Sequence, residues 1–224
     1  MLKLLKEATS SRHAAIERQW PLLDPSLSTA SYHRFIQDVF GFYVSLEFEL
    51  LAAVSCSTVD FVYAPRQKTP RFRQDLLALG DTETTIAALP RCERLPSLTN
   101  AAQRWGCLYV IEGATLGGQI ITKHLHRNLG LSANSGASFF NGYGTQTSVQ
   151  WKAFCAVVPV YGEASAGDRD AMLSGANQTF DALSEWLFPG SVASFCIGLP
   201  DLSHTLTSVH PGAGADSLVV PVHA

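Results

Sequence analysis

Thr99-Asn-Ala-Ala-Gln-Arg-Trp-Gly-Cys-Leu-Tyr-Val-Ile-Glu-Gly-Ala-Thr-Leu-Gly-Gly-Gln-Ile-Ile-Thr-Lys-His-Leu-His-Arg-Asn-Leu-Gly130 is the stretch on which the fold turns. It reads as one long helix from about Thr99 to Leu129, preceded by Pro96 and Ser97 and closed by Gly130 as a C-cap. Its middle is costly, because Gly113, Gly117 and Gly118 fall within six residues and each interior glycine costs roughly 1 kcal/mol against alanine. At 100° per residue we group Gly113, Ala114, Gly117 and Gly118 on one side and Leu108, Ile111 and Thr115 on the other. Two readings stay open. The small face either packs closely on another helix or lets a broad, flat group approach the backbone.

The same period extends in both directions. Leu2, Leu5, Thr9, His13, Ile16 and Trp20 recur at steps of three and four, which predicts a helix over 2–20, broken by Pro21 and Pro25. A second helix is expected from about Thr29 to Val54, on the stripe Phe35, Val39, Phe42, Leu46 and Leu50. Residues 55–70 read as irregular. Short helices follow over 71–79 and 82–89, ended by Gly80 and Pro90. Residues 132–146 read as a Gly/Ser/Asn-rich loop, and helices are expected over 147–161 and 167–187. No strand pair or internal repeat is visible. The expected fold class is all-α, six to eight helices in a single domain over 1–202, with 203–224 as a mobile tail.

Composition narrows the function. The chain has 224 residues, 46% hydrophobic and 16% charged, too rich in core formers for disorder over most of its length. Net charge is −3, so no broad basic field invites nucleic acid. No apolar run reaches about 18 residues, so no membrane span is expected. No signal peptide is visible. Cys56, Cys92, Cys107, Cys155 and Cys196 are odd in number and scattered, which points to a reducing cytoplasm rather than a disulfide framework or zinc site.

His13 sits in the apolar stripe of the first helix and is expected to face the interior. It reads either as a buried, hydrogen-bonded histidine or as a ligand. Glu17, one turn on, is placed to accept from its imidazole N–H, the usual support of a metal-bound histidine. Lys6 borders the same stripe and would reach an anion beside it. The remaining histidines, His33, His124, His126, His204, His210 and His223, read as mostly surface residues.

Leu5-Lys-Glu-Ala-Thr-Ser-Ser-Arg-His13 resembles the proximal-histidine segment of haem oxygenases. Tyr43-Val-Ser-Leu-Glu-Phe-Glu-Leu50 resembles their second-helix block. Pro70-Arg-Phe-Arg-Gln-Asp-Leu-Leu-Ala-Leu-Gly80 and Glu112-Gly-Ala-Thr-Leu-Gly-Gly-Gln119 resemble the next two, in order and spacing. The match covers about 1–130 and weakens towards 200, through Trp151-Lys-Ala-Phe154 and Ala176-Asn-Gln-Thr-Phe180. The last strong block is closest to the bacterial enzymes that supply bilin chromophore to bacterial phytochromes.

The resemblance implies haem, as cofactor and substrate, held between a proximal and a distal helix. Cleavage with O₂ and electrons would give biliverdin, carbon monoxide and ferrous iron. His13 would be the iron ligand and Glu17 its orienting partner. Lys6 and Lys152 would pair with the propionates. Gly113, Gly117 and Gly118 would lie against the porphyrin, and Tyr43, backbone carbonyls near Gly113 or other residues would have to hold the distal water. An electron donor such as ferredoxin or a flavoprotein reductase, and a bacterial phytochrome, are the implied partners. One departure stands out. Several family members carry an aspartate directly after the first distal glycine, where this chain has Ala114. Two alternatives remain: a haem carrier or sensor that does not turn over, and a thiaminase-like hydrolase, which would need a cysteine nucleophile.

Overall fold

Proline and glycine set most helix boundaries, as the sequence pattern expects. The computed structural model describes residues 1–54 and 61–190. Among these residues there are eight α-helices and no strand: α1 (Leu2–Gln19), α2 (Thr29–Val54), α3 (Thr69–Ala78), α4 (Glu83–Ala87), α5 (Ala101–Leu129), α6 (Ser138–Asn141), α7 (Thr147–Gly162) and α8 (Ala166–Leu187). Three short 3-10 turns lie at Pro21–Leu23, Ala64–Arg66 and Gly144–Gln146. The all-α expectation is met. No helix among the described residues is long and apolar enough to cross a membrane. The tail expected over 203–224 lies outside the described residues.

The long central helix starts where a reciprocal capping box satisfies its first amides. The Asn100 side chain accepts from the Gln103 amide, and the Gln103 side chain accepts in turn from the backbone N–H of Asn100. It stops at Gly130, whose φ of +69° is the left-handed turn that glycine takes without a Cβ clash. α3 begins two residues before the expected Arg71, because Pro70 fits the first turn of a helix, where its missing N–H costs nothing. α6 was not expected in the 132–146 loop. It exists because the buried Asp75 of α3 accepts from the amides of Ser138 (2.6 Å) and Phe139 (2.8 Å), a contact across more than sixty residues of chain.

α5 is the spine. α8 and α7 pack along it, α6 covers its second half, and α1 lies on α8. α5 and α8 touch backbone to backbone: a Cβ on Gly106 would stand 2.0 Å from the Met172 carbonyl oxygen, and one on Gly175 would stand 2.2 Å from that of Gln103. On the other side α2 packs with α3 and α6 over Tyr43, Phe72, Phe139 and Phe140, where Phe72 and Phe139 stack at 3.9 Å.

Two histidines expected at the surface are not there. His124 is buried, with Nε2 3.3 Å from the Asp24 carbonyl oxygen and 3.0 Å from Asn128 Nδ2, because the 21–24 turn folds over the end of α5. His33 is half-buried, with Nε2 2.6 Å from Asp81 Oδ2 at the end of α3.

Candidate functional site

α1 and α5 both follow α8 in the same direction. Met1 meets Met172 over Gly162, while twelve residues on His13 stands edge-on to Phe180 at 5.8 Å. On α5, Gly106 lies on Met172 and Cys107 lies beside Thr179. α1 and α5 therefore run side by side, and they meet where Thr9 adjoins Tyr109. One turn further along each helix come His13 and Gly113. Beyond them a Cβ on Gly117 would find nothing within 4 Å. Trp151 of α7 forms a further wall, its ring 3.7 Å from a Cβ on Gly113 and 5.8 Å from the Tyr109 ring. Exposed Leu116 and Ile120 continue the apolar surface along α5.

His13 is not interior. Its side chain is 57% exposed, contrary to the sequence expectation. The reason is rotational. Leu5, Thr9 and Ile16 are the buried line of α1, and His13 stands about 60° round from it, on the edge it shares with Lys6 and Glu17. Its Nδ1 is 3.4 Å from Glu17 Oε2. That neighbour favours the proton on Nδ1 and leaves Nε2 as the free electron-pair donor.

The glycines divide. Gly117 is exposed and Gly113 half-buried, but Gly118 is buried, and a Cβ there would stand 2.2 Å from the Phe140 carbonyl oxygen. Grouping Gly118 with the open face is therefore corrected. At 100° per residue it lies about 20° from Ile111, on the packed side. Close packing therefore holds for Gly118, while the backbone at Gly117 borders open space. Ala114 is exposed, as are Lys6 and Lys152, neither of which makes an ion pair among the described residues. Tyr43 is buried among Phe42, Phe72 and Phe139. Burial first, then the Glu47 carboxylate, pushes its phenol well up, so it stays protonated.

Behind the glycine run lies a charged cluster that the sequence reading did not anticipate. Lys68 and Glu112 are each 1% exposed and 2.6 Å apart. The Lys68 ammonium donates to Glu112 Oε1 (2.6 Å), to the Arg66 carbonyl (2.7 Å) and to Tyr143 Oη (2.8 Å). That uses all three of its donors. Burial pushes Lys68 down, and the Glu112 charge opposes it. Arg66 Nη1 donates to Glu112 Oε2 at 2.8 Å, and its Nη2 to Gln150 Oε1 at 2.8 Å. Tyr143 Oη also donates to Glu112, at 2.9 Å. A second buried carboxylate, Glu47, accepts from Tyr63 Oη, from the amides of Lys68 and Thr69, and from Thr69 Oγ1. A signal was present. Glu112 lies about 40° from Leu108 on the buried stripe of α5, and Glu47 adjoins Leu46 and Leu50 on that of α2.

Cys107, the fully buried thiol, is pushed up to about 12 by burial. A thiol held so far from ionisation and from solvent is no nucleophile.

The fold is all-helical, with an exposed histidine on α1 and an open glycine on α5. The family model "Heme oxygenase" matches residues 1–188, and the chain belongs to that family. A heme oxygenase from Xanthomonas campestris pv. campestris (strain 8004) is 34% identical over 116 residues, which are 51% of this chain and 64% of that protein. The chain thus matches somewhat under two thirds of that relative's length. Among solved structures, a heme oxygenase from Leptospira interrogans is similar with a TM-score of 0.66 at 20% identity, over 82% of this chain and 96% of that one. The NO- and CO-bound heme oxygenase of Neisseria meningitidis gives 0.63 at 20% identity, over 82% and 90%. A domain of unknown function with a heme oxygenase-like fold from Shewanella denitrificans gives 0.62 at 14%, over 91% and 98%. These three likenesses speak for the fold.

Proposed function

We propose that the chain is a haem oxygenase. It would bind haem in the cleft between α1 and α5 and cleave it, with O₂ and electrons, to biliverdin, carbon monoxide and ferrous iron. The observation that carries the reading is the placement of His13 and Gly113 one turn beyond the Thr9–Tyr109 contact. The donor set fits the group. An imidazole whose Nδ1 faces a carboxylate can offer Nε2 to iron, and the bare backbone at Gly117 leaves space for a flat macrocycle. Haem itself supplies the site of O₂ binding and reduction.

The protein's part is to hold and orient. Glu17 fixes the tautomer of His13. Phe180 sets the imidazole plane from the α8 side, meeting it at an interplanar angle of 86°. Gly113 and Gly117 give close access to the α5 backbone, and Trp151, Leu116 and Ile120 keep the cleft apolar. Lys6, on the His13 edge of α1, and Lys152, next to Trp151, stand as free surface cations for the propionates. With Ala114 in place of an acid and Tyr43 enclosed by Phe42, Phe72 and Phe139, distal water falls to backbone carbonyls near Gly113. Reduction by ferredoxin or a flavoprotein reductase, a cytoplasmic setting and delivery of the bilin to a bacterial phytochrome complete the proposal.

The test has two stages. Haemin is added and the Soret band followed, then ascorbate or reduced ferredoxin is supplied. Growth of a bilin spectrum as the Soret band falls supports the oxygenase. A stable Soret band under reductant and O₂ would leave the haem carrier as the function. No Soret band at all would remove both.

A further inference from the structure

We propose that Glu112 is the positioning residue of this cleft: by drawing Lys68, Arg66 and Tyr143 onto the first turn of the glycine run, it fixes where the open face of α5 stands opposite His13. The proposal rests on the haem reading of the cleft and adds a residue to it.

Glu112 is the sole acidic residue of α5 and stands directly before Gly113. The helix is weak there. Three of the next six residues are glycine, and the Thr115 hydroxyl donates back to the Glu112 carbonyl at 2.7 Å, a bond that tends to bend helices. Gly113 and Gly117 have no side chains with which to hold the turn. What holds it is lateral. Lys68 and Arg66 reach Glu112 from the chain before α3, and Tyr143 reaches it from the loop before α7. The ends of the clamp are fixed in turn, because Glu47 of α2 accepts from the Lys68 amide at 2.6 Å.

The same clamp sets the aromatic wall. Arg66 Nη2 holds the side chain of Gln150, and the next residue is Trp151, whose ring lies against Gly113. One carboxylate therefore ties together the backbone of the open face and the ring beside it. Stability alone does not account for the arrangement. Buried ion pairs are commonly replaced by apolar residues of similar volume without loss of stability, so the specific placement of α5 is what this pair contributes.

The test uses Glu112→Gln and the apolar double variant Lys68→Met/Glu112→Leu in the full chain. Three quantities are measured: the urea midpoint, amide exchange over 113–118 without haem, and haemin affinity with the ferric Soret spectrum. Glu112→Gln strands a buried ammonium and lowers the urea midpoint. The double variant regains the midpoint. It still exchanges faster over 113–118 than the wild type, binds haemin on the order of tenfold more weakly, and shows a shifted Soret band. If the double variant regains the midpoint together with wild-type exchange, affinity and spectrum, Glu112 is only structural and the proposal falls. If the wild type gives no Soret band, the haem reading falls, while the exchange data still decide whether Glu112 holds this turn of α5.

Discussion

His13 can be changed with little disturbance of the core, because its side chain is more than half exposed and, among the described residues, pairs with Glu17 and the edge of Phe180. His13→Ala is expected to move stability by no more than about 0.5 kcal/mol. Bilin formation should fall away and return in part when imidazole is added to the buffer. Normal turnover by His13→Ala without imidazole would remove the ligand assignment. The neighbouring glycines separate packing from access. Gly118→Ala places a methyl against the Phe140 carbonyl and should cost about 1–3 kcal/mol in chemical denaturation. Gly117→Leu enters open space, should stabilise the helix by up to about 1 kcal/mol, and should abolish haemin binding. If haemin binds Gly117→Leu as it binds the wild type, the open face of α5 is not where it sits.

Helices were legible where their ends are local and obscure where they are tertiary. Pro21, Gly80, Pro90 and Gly130 mark boundaries that any chain of this pattern must respect, and those ends fall within a residue or two of the expected ones. α6 was invisible, since four residues carry no period and its amides are satisfied by Asp75, far away in sequence. The charged cluster escaped for a related reason. Lys68 and Arg66 lie in an irregular stretch, so nothing local shows that they meet Glu112. The position of His13 was legible but its exposure was not, because the apolar stripe of α1 gives a direction only to within a side chain's width. Asp75 also yields a pH test. Burial pushes its carboxyl up to about 6, against the pull of the Phe139 and Ser138 amides. A carboxyl raised on folding makes the native state hold its proton longer than the unfolded chain does. This one therefore lowers stability as pH rises from about 4 to about 6. The urea midpoint of Asp75→Asn, compared with wild type across that window, should lack this downward component. Parallel profiles for the two proteins would mean that Asp75 does not titrate there.

At the scale of the molecule, the proposed cleft lies between two helices that both pack on α8. Its width would thus be set where α5 and α8 cross, at Gly106 and Gly175, where each glycine lies against a backbone carbonyl of the other helix. That crossing acts as a fulcrum. Gly117 lies eleven residues along α5 from Gly106, a lever arm of about 17 Å. A pivot of roughly 3° would carry the open face through nearly 1 Å at that radius. Gly106→Ala, whose methyl must push the Met172 carbonyl away, should therefore register at both ends of the arm: as lost stability at the crossing, and as weaker haemin binding in a cleft that the substitution never touches.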